Sequence, residues 1–365
     1  MFVKFIFSII IVSFYSFEIL ANILYVPNDY STIQEAIDNS FTGDTVLVST
    51  GTYIENIDYK GKDIIVGSYY LQTGNEEIIF QTIIESDRGS VVTFKSGESN
   101  NAILCGFTIT EGTGTVLSTP EGNRIFGGGI FISKSSPTIK NNYIVNNDMI
   151  SGGNRGGGIS IKDSANPLIY RNTITDNDII GILTWVNYFG GGIWIDSKSN
   201  PIIGGSIHNS NNIYGNTADN GRQVFRNGWG NIINAQYNYW KKYPPSSPDI
   251  YPFNQFDISN WLDRPVGIFE NQNIPIVNNY KLSQNYPNPF NPRTIISYRL
   301  SVQTEVDLSI YNILGQKAST LVSGKQSAGK HVVEWDASDF SSGVYFYRLS
   351  TKNGFSKTKK MVLMR

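Results

Sequence analysis

The chain has 365 residues, enough for about two domains that each bury a real core. One Cys and two His exclude a disulfide framework and a Cys/His zinc site, while 16% charged residues, against a usual ~25%, disfavours disorder and coiled coil. The net charge of −1 conceals an asymmetry, because residues 280–365 hold 12 basic and 5 acidic side chains and the remainder holds 17 and 25. An acidic body carries a basic tail. Lys357, Lys359 and Lys360 in that tail lack aromatic interleaving or an RNA-binding motif, so a solvated strand face is expected and no nucleic-acid partner.

Residues 1–21 begin with Lys4, run through Phe5, Ile6, Phe7 and Ile9 to Val12, and end in Leu20-Ala21, the pattern of a secretory signal peptide. No later stretch approaches the ~20 apolar residues of a membrane-spanning helix, so no transmembrane span is expected after signal cleavage. Cys105, within the apolar run from Ala102 to Phe107, reads as a small buried hydrophobe.

The next segment repeats itself. Glycine triplets begin at Gly127, Gly156 and Gly190, each followed by an alternating aliphatic pair: Ile130 and Ile132, Ile159 and Ile161, Ile193 and Ile195. Such alternation places the pair on one face of a short strand, and the Asn-Asn, Asp-Asn, Ser-Pro and Asn-Pro dipeptides between strands are turn formers. Of 38 asparagines, 19 lie between residues 127 and 238. Each unit reads as strand, turn, strand, turn. No unit can bury its apolar face alone, and stacking at ~4.8 Å would give every backbone group a partner. Alignment brings Asn147, Asn177 and Asn216 into register after Ile144, Ile174 and Ile213, which predicts a ladder of side-chain amides.

On these GGGI and NxIxxN elements, residues 22–265 resemble the right-handed parallel β-helix of the pectin-lyase-like superfamily and the repeats of polymorphic outer-membrane proteins. The opening, YVPNDYSTIQEAIDNSFTGDTVLVS, is similar to the first turn of such helices: a capping box of Ser31 with Gln34, a helix burying Ile33, Ala36 and Ile37, then a strand over Thr45–Val48. Segments 234–240 and 257–265 resemble the closing turns, where aromatic residues would cap the last rung.

A linker over residues 266–279 leads into a second all-β unit, a small Ig-like sandwich over 280–365. Val306, Leu308 and Ile310 form one apolar face, His331 to Trp335 a further strand, and Lys352-Asn353-Gly354 a tight hairpin turn before the last strand. The strings NYPNPFNP, YNILGQK, SGVYFYRL and KTKKMVLMR resemble, in order and spacing, the C-terminal sorting domain of type IX (Por) secretion cargo, with Pro287, Asn288, Pro289, Gly315, Gly343 and Tyr345 on its recurring motifs. That resemblance implies a translocon partner reached through residues 280–365, and delivery to the cell surface or the medium. The prolines and glycines also have local roles in rigidifying a strand entrance and forming turns.

The resemblance to β-helix proteins does not carry an activity with it. The arginine and proline pattern of pectate lyases, the Gly-His-Gly and Arg-Ile-Lys strings of polygalacturonases and the glutamine and aspartate motifs of pectin methylesterases are absent from the sequence. The expected function is a carbohydrate-binding or structural surface module; the alternative is a divergent polysaccharide lyase or glycoside hydrolase acting on an acidic glycan. For that alternative the catalytic candidates are Asp176, Asp178 and Arg171. Asp148 and Asp178, one rung apart, are candidates for calcium, the one cofactor considered. Trp185, Tyr188 and Trp194 are candidates for stacking on a sugar.

Overall fold

The computed structural model describes residues 21–364, apart from 87, 121, 151–152, 181–187, 242–244 and 267–279. Residues 1–20 of the signal-peptide segment and the linker beyond residue 266 thus lie outside the described residues. The described chain is all-β, in two parts with separate cores: one runs from Leu24 to Phe256, the other from Leu282 to Leu363.

The first part winds through three parallel sheets of nine, seven and six strands. One coil passes from Ile130–Ser133 in the seven-stranded sheet to Thr138–Lys140 in the nine-stranded sheet and Tyr143–Val145 in the six-stranded sheet. The next coil returns as Ile159–Lys162, Leu168–Tyr170 and Thr173–Thr175, each strand paired in register with its predecessor. Each repeat therefore supplies three main strands, where the alternation pattern suggested two; the strands are too short for period-2 counting to separate them. Register is held by the aliphatic positions, since Ile130, Ile159, Ile193 and Val224 stack as one fully buried row and Ile144, Ile174 and Ile213 as another. A slip of one residue would turn every such side chain to the outside.

The predicted amide ladder is present. Nδ2 of Asn147 donates to Oδ1 of Asn177 at 2.9 Å, and Nδ2 of Asn177 to Oδ1 of Asn216 at 2.9 Å. Asn177 Nδ2 also reaches the carbonyls of Ile144 and Thr175, both at 3.0 Å, and its Oδ1 accepts the Asn147 backbone N–H. A second, longer ladder runs through Asn142, Asn172, Asn211 and Asn238 at 3.2, 3.2 and 2.9 Å. Both asparagines of NxIxxN are thus stacking positions.

The glycine triplets have two separate reasons. Their first members, Gly127, Gly156 and Gly190, adopt positive φ of 58°, 74° and 69°, which a β-carbon disfavours. Their third members leave room for the ladder: a β-carbon on Gly158 would lie 2.6 Å from the Gly192 carbonyl oxygen and 3.2 Å from Asn177 Nδ2. In the following coil Gly221 keeps the positive φ, at 59°, while Gln223 replaces the third glycine. The amide of Gln223 occupies that space and closes the ladder, accepting from Asn216 Nδ2 at 2.7 Å.

A helix over Ile33–Asn39 plugs the amino-terminal end with Ile33, Ala36 and Ile37 fully buried, as expected. Its cap lies one residue later than the sequence suggested: Thr32 accepts the Glu35 N–H, and the Glu35 carboxylate bonds back to Ser31. The opposite end buries Trp240 and Phe256, with Trp261 packed against them.

The second part is a sandwich of two antiparallel sheets. One holds Lys281–Leu282, Arg293–Leu300 and Gly329–Asp336; the other holds Lys317–Gln326, Thr304–Asn312, Gly343–Thr351 and Ser356–Leu363. Val306, Leu308 and Ile310 are buried between them. The final hairpin closes with a Thr351 N–H to Phe355 carbonyl bond, so its loop spans more than the two residues read from Asn-Gly.

Asn177→Ala removes hydrogen-bonding atoms from buried partners that have no water to replace them, at ~1–3 kcal/mol for each group left unsatisfied. A loss of about 3 kcal/mol in denaturant unfolding of the full chain is the expected outcome, with Asn101→Ala on the exposed surface as the neutral control. Gly158→Ala is expected to cost about 1–3 kcal/mol through overpacking; unchanged stability would contradict the fit described for the ladder.

Candidate functional site

The turn leaving the six-stranded sheet repeats from coil to coil. After Val145 and Thr175 come Asn146 and Asp176, both at positive φ of 54° and 52°, then the ladder residues Asn147 and Asn177, then Asp148 and Asp178. Rung stacking sets the last two side by side: the Asp178 backbone N–H reaches Asp148 Oδ1 at 3.3 Å, and Met149 N–H donates to the Asp178 carbonyl at 2.9 Å. Thr217 holds the same place one coil further on, its hydroxyl donating to Asp178 Oδ1 at 2.7 Å.

Three cations from the sandwich converge on this row. Lys281 Nζ lies 3.3 Å from Glu111 Oε2 and 3.6 Å from Asp148 Oδ2, and donates to the Asn146 carbonyl at 2.8 Å. Lys330 Nζ bridges Asp148 Oδ2 and Asp178 Oδ2 at 3.2 Å each, while Arg299 Nη2 lies 3.3 Å from Asp178 Oδ2. The Lys281 and Asp148 side chains are only 8% and 3% exposed, which makes these contacts unlike surface pairs screened by water. Burial by itself would raise the Asp148 pKa, but Lys330, Lys281 and Arg299 outweigh it and lower the value to about 2. Burial likewise opposes the charge on Lys281, and Glu111 and Asp148 override it, so that pKa is raised.

The sequence-derived candidates separate into groups. Asp176 stands beside this row, accepting a bond from the Thr175 hydroxyl at 2.9 Å. Burial raises its pKa, with Asp178 adding to the effect against Thr175 and Arg299. Arg171 lies at the turn entering strand Thr173–Thr175, whereas Asp176 and Asp178 follow its exit; the Arg171 charge acts on Tyr70 and Cys105 instead. Asp176, Asp178 and Arg171 therefore do not form one cluster. Calcium does not fit the Asp148–Asp178 pair as folded, because a hard divalent cation takes six to eight oxygens and these carboxylates already face two ammonium groups and a guanidinium. Among the described residues no group of three or more His, Cys, Asp or Glu is arranged to hold a metal.

Of the aromatic candidates, Trp185 lies outside the described residues. Trp194 does project outward from its strand, in a row between Ser160 and Phe225 with Phe131 one coil beyond Ser160, but it is 2% exposed. The hairpin of Thr115–Thr119 with Gly122–Phe126 brings Phe126 edge-on to Trp194 at 5.4 Å, and the Arg155 guanidinium lies 5.3 Å from the indole. Tyr188, 3% exposed, packs with Met149 and Ile179. Neither ring has a face open to a sugar, a correction that short-range sequence reading could not supply, because the covering hairpin comes from an insertion some 70 residues earlier. Sequence reading missed the rings that are open. Tyr251, 43% exposed, stacks on Phe225 at 5.6 Å; Trp229 is 72% exposed, and its loop is tied to the Phe253–Gln255 turn by a Gly230 N–H bond to Gln255 Oε1 at 3.1 Å.

The residues on the tail motifs divide between interior and surface. Thr294 and Asn285 side chains both donate to the Pro287 carbonyl, at 2.9 and 3.1 Å, and Asn288 Oδ1 accepts the Val362 N–H at 2.9 Å. The peptide bonds preceding Pro287 and Pro289 are cis. Tyr345 packs edge-on to Trp335 at 5.6 Å and bonds to the Ser341 carbonyl at 2.9 Å, and Gly343 begins its strand. Gly315, at φ 75°, closes the turn that leaves Ile313 and Leu314 exposed.

Because the folded pKa of Asp148 is depressed, its contribution to stability is full above the ordinary value of 3.8 and is lost as pH falls through about 2. The groups facing it are Glu111, Asp178, Lys281, Lys330 and Arg299. Carboxyl-carbon NMR of the full chain is expected to leave Asp148 unprotonated at pH 3.5, and Lys330→Ala is expected to move its titration upward; a midpoint near 3.8 in the unsubstituted chain would contradict the ion-pair geometry.

No helix among the described residues is long and apolar enough to cross a membrane. Neither a curated protein nor a solved structure matches the chain. Residues 284–364 match the family model of the secretion system C-terminal sorting domain, which indicates export across the outer membrane by the type IX system, to the cell surface or the extracellular space.

Proposed function

We propose that the protein is a type IX-exported β-helix that serves outside the cell as a structural, carbohydrate-binding module. The observation that carries the binding role is the open aromatic group at the carboxy-terminal end of the seven-stranded sheet: Tyr251 stacked on Phe225, with Trp229 and Phe253 exposed on loops tied together through Gly230 and Gln255. Aromatic rings offer an apolar face to sugar C–H groups with little loss of side-chain freedom. The stacked rungs beneath hold those rings on a rigid base. The pectin-lyase-like likeness of residues 22–265 belongs to this same reading, and so does engagement of the translocon by residues 280–365.

A second reading, cleavage of an acidic glycan, is favoured by one observation. Burial and Asp178 raise the pKa of Asp176, which suits a general acid. The two readings divide in one assay, in which the full chain is incubated with acidic and neutral polysaccharides, with and without calcium, and scored for bound glycan, new reducing ends and unsaturated products. Binding without turnover, weakened about tenfold or more by Trp229→Ala with Tyr251→Ala, supports the module; a tenfold loss corresponds to ~1.4 kcal/mol. Turnover abolished by Asp176→Asn would replace the module with an enzyme. For export, a chain lacking residues 280–365 is expected to accumulate in the periplasm, and its normal appearance at the surface would contradict the role given to the tail.

A further inference from the structure

In the three-stranded sheet of the sandwich, Lys281 stands directly opposite Arg299, and Arg299 directly opposite Lys330. Opposed residues on antiparallel strands project to the same face, and the neighbours Leu282, Tyr298 and Leu300 point into the sandwich core. Three cations therefore form one row on the outer face, one per strand. Like charges set opposite each other across strands repel. Among the described residues, every carboxylate that pairs with these cations belongs to the solenoid.

The solenoid presents the converse arrangement. Glu111, Asp148 and Asp178 follow strands Thr108–Thr110, Tyr143–Val145 and Thr173–Thr175, which are neighbours in the six-stranded sheet. The three carboxylates are separated by 30 residues or more in the chain and meet only once three coils have stacked. Asp148 and Asp178 hold one register position a rung of ~4.8 Å apart, which is also the spacing between the strands that carry the cations, while Glu111 lies on the adjoining rung two positions nearer its strand, in register with Asn146 and Asp176. Each row is self-repelling alone, and each neutralises the other.

We propose that this contact is a register-reading latch, by which the sorting domain docks on the solenoid through carboxylates that only correctly stacked coils align. The docked face is the outer side of the three-stranded sheet. The exposed turn with Ile313 and Leu314, between two strands of the other sheet, stays uncovered in the docked state. A body whose coils are slipped or unformed cannot offer the three anions together, so the tail is then held only by its linker. The latch thus ties the orientation of the export tail to the folded state of its cargo.

Small-angle scattering of the full chain at neutral pH and low salt tests this. The wild type is expected to be compact, and Lys281→Glu with Arg299→Glu and Lys330→Glu to shift to a larger radius of gyration and maximum dimension. Adding Glu111→Lys, Asp148→Lys and Asp178→Lys to that variant is expected to restore the compact profile. A tail-side variant whose scattering superimposes on the wild type overturns the latch; that variant alters only outward side chains of the sandwich, so it decides the matter even where the carboxylate-side changes impair folding. Register is tested separately by Asp148→Thr with Thr217→Asp, which moves the acidic pair one coil along at constant net charge. Opening of this variant supports register reading, whereas a compact profile would show that net charge alone holds the tail and would overturn it.

Discussion

Every feature of the body depends on rungs stacking at one fixed register, which the buried aliphatic rows and the fit between the amide ladder and the glycines beside it hold together. Asn147, Asn177 and Asn216 each satisfy a neighbour's amide as well as buried carbonyls. An unsatisfied amide in that position costs more than a satisfied one contributes, so the ladder penalises error more than it rewards formation. The next coil's carbonyls, with the ladder amides close beside them, leave no room for a β-carbon on Gly129, Gly158 or Gly192. Ladder and glycine triplet are therefore one device, and where the triplet ends Gln223 fills the vacated space with an amide of its own.

Once rungs are locked, chemistry on the surface becomes periodic whether or not periodicity is useful. An Asp after the ladder residue recurs as a carboxylate row, and the outward position of the seven-stranded sheet recurs as the row Phe131, Ser160, Trp194, Phe225 and Tyr251, aromatic at every coil but that of Ser160. Repulsion makes the first row costly alone; the basic sandwich offsets it. Exposure of apolar surface makes the second costly alone, and the inserted hairpin with Phe126 covers most of it, leaving open the end at Tyr251. The two rows thus meet different covers, one ionic and one apolar. Only the apolar row keeps an open end, and that difference decides which of them is available to an outside ligand.

The solenoid, its plugged amino end, the ladder and the sandwich could be read from the chain, because period, turn residues and alternating apolar positions are local signals. Helix Ile33–Asn39 and strand Thr45–Val48 lay within such signals, and the cap missed by one residue because Ser31 and Thr32 offer equivalent hydroxyls. The Asp148–Asp178 neighbourhood was also legible, since it needs only the repeat. What surrounds that pair was not. Lys281, Arg299 and Lys330 lie more than 100 residues away and show in the sequence only as the surplus charge of the tail.

By itself, then, the sequence determined the stacking unit, the identity of the ladder and the tail that directs export, since each is written in residues close together or at a constant period. Tertiary structure alone decided which outward side chains stay outward: it covered Trp194 with a hairpin from an earlier coil, left Trp229 and Tyr251 open, and set three tail cations on the carboxylates that a metal would otherwise contest. The physical reason is that periodicity fixes the direction of a side chain relative to its own strand, whereas solvent access and net field depend on whatever distant segment packs over it.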